Sequence, residues 1–105
     1  MKTILIALEL ARVIAGETPG CSIEAKLAVA HVAANRIEAG IVGGWFGDAD
    51  PEPIDRVVAL FWHKTPDPTD GALYLIGPGD IDKMPWLKQR TGRWECAHTW
   101  VESWR

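Results

Sequence analysis

The chain lacks the features that several protein classes require. Its 105 residues contain no stretch near the ~20 apolar residues needed to span a membrane. Basic residues do not predominate, because 11 Lys and Arg stand against 14 Asp and Glu and leave a net charge of −3. That balance argues against a nucleic-acid-binding protein. Repeats and low-complexity tracts are missing as well. With 48% apolar residues, the chain is expected to form one folded domain over residues 1–105.

Cysteine is also scarce, since Cys21 and Cys96 are the only two in the chain. Their spacing fits no zinc motif, and we expect no metal and no cofactor. The pair could form one disulfide that closes a long loop, or could remain two free thiols that pack as small apolar side chains. Both alternatives stay open in the sequence, and free thiols are the expected one.

The N-terminal segment MKTILIALELAR resembles a secretion signal but departs from one. Its uncharged run, residues 3–8, is short, and the charged residues Glu9 and Arg12 come soon after it. No small-residue cleavage site comes directly after the run. The segment is therefore predicted to be a structural helix, and the chain to have no evident signal peptide.

Capping and breaking residues predict three helices. The first is expected over residues 3–16, ahead of the breaker sequence TPG. The second begins after the N-cap Ser22 and stops at Gly40. After a loop rich in Gly and Asp, the third begins at Pro53 and ends near Lys64.

Apolar residues recur at helical spacing, which predicts the helix faces that pack into the core. The stripe of the second helix is Ile23, Leu27, Ala30, Ala34 and Ile37. The stripe of the third helix is Val57, Leu60 and Phe61. The many alanines of the second helix allow another helix to approach it closely.

The last third of the chain predicts a small antiparallel sheet. ALYLIG, residues 72–77, has the pattern of a short strand, and PGD then turns the chain. Residues 81–92 are predicted to be irregular. AHTWVES, residues 97–103, alternates enough to pair with the first strand. Three helices followed by a small antiparallel sheet define an α+β domain.

Glu17 is the residue that suggests chemistry, because it ends an almost wholly apolar helix. The carbonyl end of a helix and apolar surroundings both disfavour an ionised carboxylate. The pKa of Glu17 is therefore expected above the ~4.3 of a free glutamate. A carboxyl group that stays protonated can donate its proton to a leaving oxygen. The structural alternative is that Glu17 faces water or caps the amides of the next loop.

Three sequence blocks together resemble one known family. They are LARVIAGETPGCSIEAKLAVAHVAANR at residues 10–36, DPTDGALYLIGPGD at residues 67–80 and CAHTWV at residues 96–101. In this order they are similar to the catalytic domain of spore-cortex-lytic enzymes, the SleB-type cell-wall hydrolases. The resemblance implies a lysozyme-like fold in which a helical half and a small sheet flank a cleft.

The resemblance also implies an activity. Members of the family are understood as lytic transglycosylases that cleave peptidoglycan glycan strands between N-acetylmuramic acid and N-acetylglucosamine. Their single catalytic glutamate falls on Glu17. It would first protonate the glycosidic oxygen and then act as base on the 6-hydroxyl of the same sugar, which closes a 1,6-anhydro ring. No second carboxylate is needed, unlike in two-carboxylate glycosidases.

Other family positions fall on polar and aromatic residues. Tyr74 matches a tyrosine of the Ala-Leu-Tyr strand and His98 a strand histidine, so both are expected to line the cleft and bind substrate. Asn35 and Arg36 match an Asn-Arg pair whose expected role is structural, tying the end of the second helix to neighbouring loops. His31 has no evident partner and is expected to be an ordinary core or surface histidine.

The chain departs from the family between the second and third helices. The family has a longer segment there that helps to build the cleft wall. Trp45, in the shortened loop, is expected to replace a missing sugar platform. Three further tryptophans are candidates for the same role or for core packing: Trp86, Trp94 and Trp100.

Two further functions stay open. The chain could be a non-catalytic glycan-binding or structural relative of the same fold. It could also be a muramidase that hydrolyses the bond with water and a second carboxylate, supplied by Asp48, Asp50, Asp80 or Asp82. In every case the expected partner is the peptidoglycan glycan strand, with no nucleic acid and no membrane insertion. A bare catalytic domain without a signal suits a phage endolysin that reaches the cell wall at lysis.

Overall fold

The computed structural model describes the backbone of residues 2–41 and 49–105, with side chains from residue 7 onward within those ranges. The described residues form α1 (Lys2–Glu17), α2 (Ile23–Glu38) and α3 (Pro53–Phe61), followed by β1 (Tyr74–Ile76), β2 (Arg90–Glu95) and β3 (Trp100–Trp104). The strands make one antiparallel sheet in the order β1-β3-β2. The prediction of an α+β fold is confirmed. No helix in the described part of the chain is long and apolar enough to cross a membrane.

Local sequence accounts for the helix boundaries. The hydroxyl of Ser22 accepts a hydrogen bond from the Ala25 amide at 3.1 Å, which starts α2. Gly40 lies just beyond the end of α2 with φ +75°, a conformation that glycine adopts without strain. Pro53 is the first residue of α3, where its missing N–H costs nothing. The predicted boundaries of α2 and the predicted start of α3 are confirmed. The predicted end of α3 near Lys64 is wrong, because the α-helix stops at Phe61 and a 3₁₀ turn continues it over Trp62–Lys64.

The core lies among the three helices and uses different faces from those predicted. The main buried apolar side chains are Leu10 and Ile14 of α1, Val29, Ala30 and Ala33 of α2, and Val58 and Ala59 of α3. The predicted stripe of α3 is wrong, because Val57, Leu60 and Phe61 are each about half exposed. Apolar residues surround most of this short helix, so periodicity did not select the inward face. That face is selected by the buried Asp55, one turn before Val58 and Ala59.

The predicted stripe of α2 is wrong at its two ends. Ile23 and Ile37 are about half exposed, whereas Ala30 is fully buried. The buried part of α2 is instead a broad alanine- and valine-rich surface, which lets α1 and α3 pack closely against it.

The sheet contains one strand that was not predicted. β3 pairs with β1 as expected, with Tyr74 opposite Trp104 and Ile76 opposite Glu102. β2 begins inside the segment predicted to be irregular. Its register shifts between Arg90 and Gly92, and this irregularity disturbs the alternation by which a strand is recognised.

Candidate active site

Glu17 is the last residue of α1, and its side chain is half-buried. The chain turns immediately after it. The Thr18 hydroxyl donates to the Ile14 carbonyl at 2.6 Å, and the Thr18 amide bonds the same carbonyl at 2.9 Å. Gly20 comes next in the turn with φ +72°, which permits the reversal into α2. Glu17 therefore lies at the carbonyl end of a helix that has no basic residue in its last turn.

A buried ion pair fixes the position of this helix end. The Lys26 ammonium donates to the Thr18 carbonyl at 3.0 Å and to Asp55 Oδ1 at 2.6 Å. Both charged side chains are almost completely buried. One cation thus links the end of α1 to α2 and α3, where it also compensates the partial negative charge of the α1 terminus. The sequence signal for this contact was weak, namely a lysine inside an apolar helix.

A disulfide joins the turn after Glu17 to the sheet. Cys21 and Cys96 are bonded across 75 residues, so the expectation of two free thiols is wrong. The Ser22 amide also donates to the Glu95 carbonyl at 3.1 Å. We call these two contacts the disulfide corner. Thiol pairing depends on which residues the fold brings together, and two cysteines far apart in sequence carry no sign of that.

Asp67 organises a second contact between the helices and the sheet side, which we call the Asp67 hub. Its carboxylate accepts hydrogen bonds from the Thr69 amide at 2.8 Å, the Thr69 hydroxyl at 2.6 Å, the Gly71 amide at 3.0 Å and the Asn35 amide group at 2.9 Å. Burial opposes ionisation, but these donors outweigh it and lower the pKa of Asp67. The block DPTDG is therefore a tightly hydrogen-bonded loop.

Asn35 and Arg36 have the structural role predicted for them. The Asn35 side chain also donates to the Ala72 carbonyl at 3.1 Å, and Arg36 Nη1 donates to the Leu73 carbonyl at 2.8 Å. These bonds tie the last turn of α2 to the segment that leads into β1. The prediction that this pair connects the helix end to neighbouring loops is confirmed.

His31 is buried beside the same loop, in agreement with a core histidine. The Thr65 hydroxyl donates to the Trp62 carbonyl at 2.7 Å, so His31 Nε2, 3.0 Å from that hydroxyl, acts as the donor between them. Its Nδ1 lies 3.9 Å from Asp67 Oδ1. Burial lowers the pKa of His31, against the raising effects of Asp67 and the Trp62 carbonyl.

Tyr74 lies at the start of β1 and packs between a cation and an indole. The Arg36 guanidinium is 5.7 Å from the centre of the Tyr74 ring. The exposed indole of Trp86 meets the ring edge-on, at 6.5 Å between centroids. Tyr74 and Trp86 thus form an aromatic pair that solvent reaches.

His98 is not on a strand, contrary to its predicted placement. It is exposed in the bend of residues 97–99, because β3 begins only at Trp100. The structure does not bring His98 into any described contact with Tyr74 or Asn35. Trp45, predicted as a sugar platform, lies outside the described residues.

The two other tryptophans predicted as sugar-contact candidates, Trp94 and Trp100, have different surroundings. The Arg93 guanidinium stacks over Trp100, 4.3 Å from the ring centre. The indole of Trp94 lies against Gly92 on the same strand and lines a small pocket beside α2. Trp94 therefore borders a cavity.

The candidates for a second carboxylate that the structure describes are either exposed to solvent or bonded to neighbouring residues. Asp80 accepts a hydrogen bond from the Gly77 amide at 3.2 Å and lies 3.9 Å from the Lys83 ammonium. Asp50 and Asp82 are exposed, and Asp48 lies outside the described residues. Within residues 2–41 and 49–105, no three His, Cys, Asp or Glu side chains are grouped as metal ligands would be.

Comparison of the chain with protein-family models, with curated proteins and with solved structures finds no match. The resemblance to SleB-type hydrolases therefore depends on the three sequence blocks alone. Its implications for the residues of this site are proposals.

Proposed function

We propose that the protein cleaves peptidoglycan glycan strands as a lytic transglycosylase, with Glu17 as its single catalytic acid and base. The observation that carries the proposal is the position of Glu17. It is half-buried at the carbonyl end of α1, one residue before the carbonyl that Lys26 binds and four residues before the disulfide corner. A carboxyl group at this position has limited access to water.

The proposed reaction uses the Glu17 carboxyl group twice, first as an acid and then as a base. Glu17 gives its proton to the oxygen between N-acetylmuramic acid and N-acetylglucosamine, and the C1–O bond breaks as that oxygen leaves as a hydroxyl. The Glu17 carboxylate then takes the proton of the muramic acid 6-hydroxyl. The oxygen of that hydroxyl bonds to C1, and the product ends in a 1,6-anhydro ring. Atoms balance without water, and Glu17 returns to its protonated form.

The disulfide supports a site of action outside a reducing compartment. Structural disulfides form and persist in oxidising surroundings, such as the cell envelope. Cys21 and Cys96 are both used in this bond, and it borders the turn after Glu17. We therefore propose that the chain acts at the cell wall, as the glycan substrate requires, and a phage endolysin released at lysis fits that proposal.

The decisive experiment compares Glu17→Gln with the parent on purified sacculi. Loss of the general acid should lower the rate of muropeptide release by roughly 10²–10⁴-fold. Glu9→Gln is the matched control, because Glu9 is an exposed glutamate of the same helix and its replacement should leave the rate unchanged. Release by Glu17→Gln at the parental rate, or intact sacculi with the parent, would rule out the proposal.

Product masses separate the two cleavage chemistries. Anhydro ends are expected for transglycosylation. Reducing ends would indicate hydrolysis by water and would direct attention to a second carboxylate.

A second candidate, non-catalytic glycan binding, is favoured by the aromatic pair Tyr74–Trp86. Its solvent-exposed indole, edge-on to a tyrosine, is suited to contact sugar rings without any acid. Sedimentation with sacculi distinguishes the two functions, since a binding protein would sediment with the wall and release nothing.

A further inference from the structure

A pocket of about 140 Å³ lies where α2, the loop after α3 and β2 meet. We call it the Trp94 pocket. It is lined by Glu24, Leu27, Thr65, Pro66, Pro68 and Trp94. Its residues come from three separate parts of the chain, and none of them takes part in the chemistry proposed for Glu17.

One wall of the pocket is an indole whose orientation the backbone permits. The ring of Trp94 lies against Gly92, two residues earlier on β2, so closely that a Cβ at residue 92 would overlap it. Glycine is therefore needed at this position for the indole to lie along the strand. The adjacent register shift in β2 belongs to the same local distortion.

A second part of the pocket wall is held by the Asp67 hub. Pro66 and Pro68 flank Asp67, whose carboxylate is fixed by hydrogen bonds from Thr69, Gly71 and Asn35. Proline rings also have no flexible side chain to order when a ligand binds. Both walls are thus formed before binding, which lowers the entropy cost of holding a ligand.

Glu24 is the polar group of the pocket that is free to bind a ligand. The Thr65 hydroxyl already donates to Trp62 and accepts from His31. The Glu24 carboxylate is exposed, and it forms no hydrogen bond or ion pair with any other residue in the described ranges. The pocket therefore presents an indole, two prolines and a leucine together with one carboxylate.

We propose that the Trp94 pocket binds one N-acetylated amino-sugar ring of the glycan, as a subsite of the proposed enzyme, so the inference rests on that proposed function. The C–H face and acetyl methyl group of such a ring would contact the apolar walls, while an N–H or hydroxyl would donate to Glu24. An ammonium group would pair with Glu24, but its remaining donors would meet proline and leucine side chains that offer no acceptors. A muramic acid carboxylate would meet the like charge of Glu24, so the ring is an N-acetylglucosamine.

Titration of the full-length protein with the tetramer of N-acetylglucosamine tests this inference. The tetramer contains no muramic acid, so its binding is measured apart from cleavage of sacculi. Trp94→Ala should weaken binding about tenfold or more, because the apolar contact with the ring is lost. Glu24→Gln should weaken it by about three- to tenfold, the loss of one charge-assisted hydrogen bond.

Matched controls place the effect at the pocket. Phe61→Ala removes an exposed aromatic ring of α3, and Glu9→Gln removes an exposed carboxylate of α1; both should bind like the parent. Equal affinity of Trp94→Ala and the parent, or weakening by Phe61→Ala instead, would overturn the inference. Displacement of the tetramer by a simple diamine such as cadaverine would also overturn it, since the pocket would then prefer amines.

Two further variants keep the test independent of folding and of catalysis. If Trp94→Ala does not fold, the binding of the tetramer is measured with Trp94→Phe and with the surface variant Glu24→Gln. Parental affinity in both variants would refute the subsite. Glu17→Gln should bind the tetramer normally. Trp94-dependent binding by a parent that leaves sacculi intact would refute the catalytic proposal alone, whereas normal cleavage with Trp94-independent binding would refute the subsite alone.

Discussion

The two ends of α2 are joined to the sheet side of the molecule by contacts of different chemistry. Just before its first turn, the disulfide corner uses a covalent bond between Cys21 and Cys96. At its last turn, the Asp67 hub uses hydrogen bonds that converge on one carboxylate from Asn35 and the loop of residues 69–71. The first contact responds to reductants and the second to protons. We therefore expect that the two junctions of α2 can be weakened separately.

Removing the disulfide should have the largest effect on stability. A bond that closes a loop of 75 residues restricts the unfolded chain, so Cys21→Ser with Cys96→Ser should lower the free energy of unfolding by roughly 2–5 kcal/mol. Urea titration with and without a phosphine reductant measures this. The reductant should lower the free energy of unfolding of the parent by the same amount as the double substitution does. It should leave the stability of the double variant unchanged. A parent that is insensitive to reduction would contradict the role given to the disulfide corner.

Breaking the Asp67 hub should have an intermediate effect. Asp67→Asn replaces one acceptor oxygen by a donor and leaves buried donors unpaired, so the free energy of unfolding should fall by about 1–3 kcal/mol. Asp70→Asn, three residues on, is the matched control. Its carboxylate is exposed and pairs with Arg105, so the change should cost no more than about 0.5 kcal/mol. Equal losses in both variants would remove the distinction between the hub and an ordinary surface loop.

The smallest expected effect is the pH dependence of the free energy of unfolding, which arises from Asp67 and from the neighbouring His31. Burial lowers the pKa of His31 in the folded protein below the 6.5 of the unfolded chain. As the pH falls through 6.5, the unfolded chain therefore binds a proton at this histidine before the folded protein does. Stability should therefore fall as the pH drops below 6.5 towards the folded pKa. The pKa of Asp67 is lowered as well, and its stabilisation is present above 3.8 and lost as the pH falls through the folded pKa.

Urea midpoints between pH 7 and pH 5 check the contribution of His31. His31→Gln should flatten this pH dependence, because the titrating group has been removed. His98→Gln should leave it unchanged, since His98 is exposed in the bend before β3. A slope that His98→Gln removes would show that the titration has been assigned to the wrong histidine.

Prediction of the candidate site succeeds where the partners are close in sequence or form a known local pattern. The apolar run and the breaker residues after it place Glu17 at a helix terminus, and the connecting role predicted for Asn35 and Arg36 is confirmed. His98 is misplaced by the sequence pattern because a strand and the bend before it have similar composition. The Lys26–Asp55 pair escapes prediction, since nothing near Lys26 in sequence indicates an acid 29 residues away.

The sequence by itself determined the local structure: the N-cap at Ser22, the glycine end of α2 at Gly40, the proline start of α3 and the turn after Glu17. Each of these depends on backbone and side-chain chemistry within a few residues. Only the tertiary structure decided which face of α3 is buried, that β2 is a strand and that Cys21 meets Cys96. Those outcomes depend on contacts between distant segments, whose free energy arises only when the helices and the sheet pack together.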